Sequence, residues 1–228
     1  MIELVDFHSH ILPSADHGSA RSSVSLEQLK MAMDCGVSKI VATPHFYPQK
    51  ENPDSFLARR SYSYQRLSRK LTDPHPEIIL GAEVLICDNI EEMPMLSELC
   101  ISGTNVLLLE LPFTDFSKSY ANSVSILIEQ GYNVVLAHAD RYNPENIDTM
   151  INAGAKIQLN ADSISGFKIP KHISKWIDEG VVYAIGSDIH GVDKKAYKQF
   201  KKSIKKLKNE AEIIMQRSNE LLTSKSKT

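Results

Sequence analysis

Val5-Asp6-Phe7-His8-Ser9-His10-Ile11-Leu12-Pro13-Ser14-Ala15-Asp16-His17-Gly18 reads D-x-H-x-H, then a proline-containing loop, then D-H-G. Alternate side chains of a strand share a face, so His8 and His10 point to the same side. Two imidazoles on one face at a strand end can hold a metal ion. An isolated H-x-H is more often a pair of ordinary buried histidines, and the rest of the chain decides between these interpretations.

The composition is that of a soluble globular protein. The 228 residues are 42% hydrophobic and 24% charged, and the net charge of -2 gives no electrostatic argument for nucleic-acid binding. The three cysteines are odd in number and lack metal-ligand spacing, which fits buried thiols in a reducing compartment. No apolar run is long enough to cross a bilayer, and no charged lead precedes an apolar signal region. We expect a cytoplasmic protein.

Strand-like and helix-like segments alternate along the chain. Apolar Val/Ile/Leu-rich runs predict seven parallel strands buried on both faces, at Leu4–His10, Lys39–His45, Ile78–Ile86, Val106–Pro112, Asn133–Ala139, Lys156–Ala161 and Val181–His190. Helices are predicted at Ser23–Cys35, Pro53–Leu71, Ser117–Gln130, Pro144–Ala153 and Pro170–Asp178, and glycines follow several of them. The pattern predicts one α/β domain over 1–222, and seven repeats favour a barrel over an open sheet.

The C-terminal segment differs in charge. Lys194–Lys208 contains eight lysines, and Tyr197, Phe200, Ile204 and Leu207 recur at helical spacing, which predicts an amphipathic helix with a basic face. A solvated lysine face is the ordinary interpretation, and attraction of an acidic phosphorylated substrate or an anionic membrane surface is the alternative. A last helix is expected at Ala211–Leu222, followed by a frayed tail over 223–228.

Six of the seven predicted strands carry imidazole or carboxylate side chains at or near their C-terminal ends. The ends of parallel barrel strands form the active-site face, and a carboxylate in an apolar run such as Leu107-Leu108-Leu109-Glu110 is unfavourable unless it is paired or binds a metal. The candidate ligands are His8, His10, His45, Glu83, Glu110, His138, Asp188 and His190, with Asp16 and His17 in the first loop. This set lacks thiolates, suits manganese, iron or zinc, and is large enough for two or three ions. Such clusters hydrolyse phosphoesters.

The motifs D-x-H-x-H-I-L-P, A-T-P-H, G-x-E, E-L-P, A-H-x-x-R and S-D-x-H together resemble the PHP (polymerase and histidinol phosphatase) superfamily, and within it the CpsB/CapC-type tyrosine phosphatases of bacterial capsule and exopolysaccharide systems. The resemblance covers nearly the whole chain, including Gln158-Leu159-Asn160-Ala161. It implies a distorted (β/α)7 barrel, a trinuclear metal centre and a metal-bound hydroxide as nucleophile. The implied substrate is phosphotyrosine on the tail of a partner bacterial tyrosine kinase.

The resemblance also implies roles for individual residues. The first metal would bind His8, His10, Glu83 and Asp188, and Glu83 would bridge to a second metal that Glu110 and His138 also hold. His45, His190 and the residue at position 17 would hold the third. Arg141 would bind the phosphate, so the catalytic set is Arg141, Glu83 and His138. A planar guanidinium suits phosphate oxygens.

This chain departs from the family pattern at three motifs. The family's D-D-G is Asp16-His17-Gly18, so the ligand in this loop is either His17, as we predict, or Asp16. The family's H-P-E-R is His138-Ala139-Asp140-Arg141, and its S-D-A-H-N ends in Gly191. The last two departures concern substrate orientation more than metal binding.

Other functions remain open at this point. A cysteine-based tyrosine phosphatase needs an arginine six residues after its cysteine, and those positions hold Val41, Met93 and Val106. A small-molecule phosphatase of histidinol-phosphatase type is the second enzyme hypothesis. A weakly active regulatory subunit of a polysaccharide system is the third, because of the departures at positions 17, 139 and 140. A nuclease is disfavoured because the loops lack an interleaved basic and aromatic groove.

Overall fold

The computed structural model of the protein describes residues 3–113 and 116–224. Its described strands are β1 (Leu4–Ser9), β2 (Val37–Ala42), β3 (His45–Phe46), β4 (Glu77–Leu80), β5 (Glu83–Leu85), β6 (Val106–Glu110), β7 (Asn133–Leu136), β8 (Lys156–Asn160) and β9 (Val182–Gly186). All the strand pairs are parallel, in a three-stranded sheet of order β1-β2-β4 and a six-stranded sheet of order β3-β5-β6-β7-β8-β9. A parallel bridge between Ser9 and Ile189 joins β1 to the segment after β9. The protein is therefore a mixed α/β domain with parallel sheets, as predicted.

Two of the predicted strands are interrupted, so their prediction as continuous strands was wrong. Lys39–His45 divides into β2 and β3 at Thr43 and Pro44, where proline has no N–H to give to a ladder. Ile78–Ile86 divides into β4 and β5 at Gly81 and Ala82. The N–H of Glu83 donates to the carbonyl of Pro44 at 3.1 Å, so the two breaks lie side by side. At each of these two breaks the backbone passes from the three-stranded sheet to the six-stranded sheet. His45 begins β3 and Glu83 begins β5.

The helices are α1 (Ser22–Asp34), α2 (Pro53–Ser68), α3 (Ser119–Glu129), α4 (Pro144–Asn152), α5 (Ala161–Ser165), α6 (Lys171–Asp178), α7 (Ala196–Leu207) and α8 (Asn209–Thr223). All but the short α5 were predicted to within a few residues. Gly131 has φ +97° just after α3, the left-handed cap that its position predicts. α8 extends to Thr223, and residues 225–228 of the tail expected to fray lie outside the described residues.

The sheets form the centre of the hydrophobic core. Val106, Leu107, Leu108 and Leu109 of β6 are all fully buried, which confirms that this run faces packed residues on both sides. α7 buries Tyr197, Phe200 and Leu207 and exposes most of its lysines, so its prediction as an amphipathic helix is confirmed. No helix in the described ranges has the length and apolar character needed to span a membrane.

Candidate metal centre

The strand ends bring eight of the nine predicted ligands into one buried cluster. β1 supplies His8, with His10 just beyond it; β3, β5 and β6 supply His45, Glu83 and Glu110; His138, Asp188 and His190 follow β7 and β9. These side chains form four overlapping groups of three whose ligand atoms lie within 4.8 Å of one another: His10-His45-His190, His8-His10-Asp188, His8-Glu83-His138 and His45-Glu83-Glu110. We call these eight residues the strand-end cluster.

The carboxylate of Glu83 lies at the centre of the cluster. Its Oε1 is 2.6 Å from Nε2 of His138. Its Oε2 is 2.9 Å from Nδ1 of His45, 3.2 Å from Nε2 of His8 and 3.3 Å from Nε2 of His10. One fully buried carboxylate thus faces four imidazoles, which is the arrangement expected of a residue that bridges two ions.

Asp188 also faces His8 and His10. Its Oδ1 is 3.3 Å from Nε2 of His10 and 3.7 Å from Nε2 of His8. Its Oδ2 pairs with Arg141 at 2.6 Å. Asp188 and His138 have φ angles of 49° and 31°, in the left-handed region that residues other than glycine seldom adopt.

Buried polar atoms in the cluster lack hydrogen-bond partners. Among the described residues these include Oε2 of Glu83 and of Glu110, Nδ1 of His45 and Nε2 of His190. Nδ1 of His45 and Oε2 of Glu83 approach to 2.9 Å but do not have hydrogen-bond geometry. Unpaired buried polar atoms are unfavourable unless something binds them, so this nitrogen and oxygen donor set fits divalent metal ions.

A buried amide chain from β8 supports the cluster. Gln158 Oε1 lies 3.0 Å from Nδ1 of His8 and accepts a hydrogen bond from the backbone N–H of His138 at 2.7 Å. Its Nε2 donates to Asn160 at 2.9 Å, and Asn160 Nδ2 donates to Oδ2 of Asp188 at 3.1 Å. Sequence reasoning assigned no role to these residues, although two amides on one face of an apolar strand were a signal.

The loop over residues 16–18 places its two candidate ligands differently. Oδ2 of Asp16 lies 2.6 Å from Nδ1 of His10, and Oδ1 accepts from the N–H of Gly18 at 2.8 Å. His17 is exposed and belongs to none of the four groups, but its ring stacks 4.8 Å from that of His45 and 4.6 Å from that of His190. The assignment of His17 as a ligand therefore stays a prediction.

Gly18 allows this loop to lie against the cluster. A Cβ at this position would clash with the Cβ and the carbonyl oxygen of His10. Position 18 therefore requires glycine because the backbone passes too close to His10 to leave room for a side chain.

Protons are shared between the carboxylates and imidazoles of the metal-free cluster. Burial opposes the charged form of His10, but the hydrogen bonds that it donates to neighbouring carboxylates, Asp16 first, outweigh this effect and raise its pKa well above the usual value. Burial disfavours ionised Glu83, yet the imidazoles around it, His8 first, hold its pKa well below the usual value. His10 therefore carries a proton that a bound metal ion would displace, whereas Glu83 is already ionised.

His45 and His190, which with His17 form the third predicted metal site, have pKa values shifted in opposite directions. Burial disfavours the charged form of His45, but Glu110 and Glu83 raise its pKa to about 9. Burial and the nearby charge of His10 lower the pKa of His190 to about 4. His190 is neutral at physiological pH and can ligate a metal without losing a proton.

Arg141 lies at the rim of the cluster, with 42% of its side chain exposed. It borders a cavity of about 120 Å³ that Asn160, Asp162 and Asp188 also line. The preceding residue, Asp140, accepts a hydrogen bond from the N–H of Asn160 at 2.7 Å. The substituted H-A-D-R motif thus holds its arginine beside the cluster.

Comparison with known proteins identifies the family of this chain. The family model for capsular polysaccharide synthesis proteins CpsB/CapC matches residues 4–224. The chain belongs to the CpsB/CapC family. It is 26% identical over 201 residues to the tyrosine-protein phosphatase YwqE of Bacillus subtilis (strain 168), an alignment that covers 83% of this chain and 78% of YwqE. It is 28% identical over 204 residues to the putative tyrosine-protein phosphatase CapC of Staphylococcus aureus, covering 85% of this chain and 80% of CapC.

A solved structure shows the same fold. It comes from a study of YwqE from Bacillus subtilis and CpsB from Streptococcus pneumoniae, described as unique metal-dependent tyrosine phosphatases. It superposes with a TM-score of 0.81 and 22% sequence identity, over 98% of this chain and 96% of the other. Relatives of this chain in the CpsB/CapC family are thus named as tyrosine phosphatases, and the fold is shared over nearly the full length.

Proposed function

We propose that this CpsB/CapC protein is a metal-dependent protein-tyrosine phosphatase that acts in capsule or exopolysaccharide synthesis. The observation that carries the proposal is the convergence of four imidazoles on the buried carboxylate of Glu83, with unpaired ligand atoms around it. The names of the relatives supply the reaction and the substrate class.

The proposed metal centre holds two or three divalent ions, of manganese, iron or zinc. His8, His10, Glu83 and Asp188 would hold the first, and Glu83, Glu110 and His138 the second. His45, His190 and His17 would hold the third. When bound, such ions lower the pKa of a water molecule and neutralise phosphate charge.

The chain's own residues perform the remaining tasks. Arg141 would bind two phosphate oxygens through its planar fork, and its pairing with Asp188 keeps it beside the cluster. Glu83 and His138 are buried and hydrogen-bonded to each other, so both keep their orientation in a site that excludes bulk water. Gln158 orients His8 so that Nε2 faces Glu83.

The proposed substrate is phosphotyrosine on the tail of a bacterial tyrosine kinase, in the cytoplasm. The tyrosine-phosphatase names of the relatives support the substrate class. The unpaired state of Cys35, Cys87 and Cys100 is consistent with a reducing compartment. A filled set of strand-end ligands favours an enzyme over an inactive regulatory subunit.

We also infer that the two sheets together form a distorted (β/α)7 barrel. Taking β2 with β3 and β4 with β5 as single broken strands makes seven strands, which follow one another in chain order across both sheets. The Ser9–Ile189 bridge, which joins the end of the first strand to the segment just after the last, supports closure.

Elemental analysis combined with two hydrolysis assays tests the proposed function. We expect more than one divalent ion per chain, hydrolysis of a chromogenic aryl phosphate, and faster turnover of a phosphotyrosine peptide than of histidinol phosphate. Preference for histidinol phosphate would favour the small-molecule phosphatase. A metal-loaded protein that hydrolyses neither substrate would support the regulatory subunit.

A further inference from the structure

An exposed aromatic ring lies beside the strand-end cluster and has no part in the metal centre. Phe113 follows Glu110-Leu111-Pro112 at the end of β6 and is 67% exposed. Single exposed hydrophobic side chains are common on protein surfaces, so exposure alone implies nothing. The arrangement of the rings around Phe113 is the informative feature.

Phe113 is stacked on a side chain of the cluster itself. Its ring centroid lies 6.2 Å from that of His138, with an angle of 12° between the planes. It lies 5.5 Å from the ring of Tyr142 at 26°. His138 in turn contacts Glu83 at 2.6 Å, so Phe113 is one ring away from the centre of the proposed metal site.

The support for this ring is fixed by hydrogen bonding. The hydroxyl of Tyr142 donates to the carbonyl of Leu111 at 2.8 Å, which ties the segment after β7 to the segment after β6. Leu111 is buried, and it lies two residues before Phe113. Arg141, the proposed phosphate-binding residue, immediately precedes Tyr142 in the chain.

Tyr47, on another side chain of the cluster, has less surface available for a ligand. Tyr47 stacks on His45 at 5.1 Å, and the ammonium group of Lys50 lies 4.4 Å from its ring centroid. Tyr47 is half-buried, whereas Phe113 is mostly exposed. Phe113 is therefore the ring with area left to bury against a ligand.

We propose that Phe113, backed by Tyr142 and His138, forms an aryl-binding subsite that takes the aromatic ring of a phosphate monoester held at Arg141. This inference rests on the proposed phosphatase function and adds a residue that selects aryl over alkyl esters. Offset stacking of two aromatic rings contributes about 0.5–1.5 kcal/mol beyond simple burial, which corresponds to about 2- to 12-fold in affinity. A ligand with a small alkyl group gains nothing from this contact.

Two phosphonates that cannot be hydrolysed separate the ring contact from phosphate binding. Dissociation constants for phenylphosphonate and methylphosphonate are measured by calorimetry on the metal-loaded protein, with KM for phenyl phosphate as a second readout. We expect Phe113→Ala to weaken phenylphosphonate about 2- to 12-fold and to leave methylphosphonate unchanged. Phe113→Tyr should restore binding because it keeps the ring. Phe167→Ala, at a 96% exposed phenylalanine without a ring partner among the described residues, is the matched control and should change neither constant.

Equal weakening of both phosphonates by Phe113→Ala would overturn the subsite, since it would indicate damage to the metal centre. No change for either ligand would overturn it as well. Failure of the proposed function is a separate result: a wild-type protein that hydrolyses no phosphate monoester would refute the phosphatase, while the ratio of the two phosphonate affinities would still test the role of Phe113.

Discussion

Gln158 Oε1 lies 3.0 Å from Nδ1 of His8, in a part of the protein from which solvent is excluded. The same oxygen accepts from the N–H of His138, so it acts as an acceptor, and His8 donates through Nδ1. Nε2 of His8 is then the nitrogen free for a metal.

This relationship predicts that Gln158→Leu weakens metal binding by about 10- to 100-fold, the usual effect of losing a partner that orients a ligand. Gln158→Glu keeps the acceptor oxygen and should lose less. Competition with a chromogenic chelator measures the affinity. Ser203→Ala, at a buried serine on α7, is the control for general loss of stability and should leave metal affinity unchanged.

Glu83→Ala should be the most damaging single substitution in the cluster. It removes the carboxylate that faces four imidazoles, so the loss of metal affinity should exceed the about 10- to 100-fold typical of an orienting partner. Metal content per chain and aryl-phosphate turnover are the measurements, and a strong chelator should reproduce the effect in the wild type. Glu27→Ala, at an exposed position on α1, is the control. Full activity of Glu83→Ala would disprove the bridging role.

Arg141→Lys should lower aryl-phosphate turnover by about 10- to 1000-fold, comparable with removing a transition-state donor. Lysine keeps the charge but lacks the planar fork that binds two oxygens. Metal content should stay normal, which separates phosphate binding from damage to Asp188. Arg21→Lys, at an exposed arginine before α1, should have no effect. Normal kinetics in the lysine variant would place Arg141 outside the site.

His17→Ala should remove one ion per chain if His17 completes the third site with His45 and His190. Asp16→Ala should keep the number of ions but weaken their binding by about 10- to 100-fold, because Asp16 orients His10. An all-imidazole third site should also prefer zinc or iron to manganese. If His17→Ala keeps every ion while Asp16→Ala loses one, Asp16 is the ligand.

The pKa of His45, raised to about 9 by Glu110 and Glu83 against the effect of burial, predicts opposite pH trends for metal-free stability and metal affinity. Its native state holds a proton that the unfolded state releases near pH 6.5, so the stabilisation is present below pH 6.5 and is lost as pH rises to about 9. Metal affinity should rise over the same window because binding displaces that proton. Thermal unfolding of chelated and metal-loaded protein measures both trends, and His45→Gln should flatten the metal-free slope. A metal-free melting temperature that rises from pH 6.5 to 9 would contradict this account.

The positions of the strands and the eight residues of the strand-end cluster could be predicted from the sequence because both follow from local patterns. Apolar runs buried on both faces mark parallel strands, and a carboxylate such as Glu110 at the end of one is improbable without a partner. Since parallel strands end at one edge, residues far apart in the chain, such as His8 and Asp188, could be expected to meet.

Side-chain direction was not readable in the same way. Whether Asp16 or His17 turns inward depends on the close approach of Gly18 to His10, a tertiary contact that spacing does not reveal. The orienting role of Gln158 depends on how β8 and β1 are placed relative to each other, and these two strands belong to different sheets. Pro44 and Gly81 are residue types that often interrupt strands, so each break could be suspected from the sequence. That the two breaks lie side by side could not be predicted, because it depends on how the two strands pair.

The left-handed backbone at His138 and Asp188 has an evolutionary consequence. Each angle favours glycine over a residue with a side chain, so the carboxylate and the imidazole needed at the cluster are held against the preference of the backbone. A descendant relieved of selection for activity would gain stability by exchanging either residue. Substitutions at these two positions should therefore be among the first to accumulate in a homologue that has lost enzymatic activity but retains a structural role.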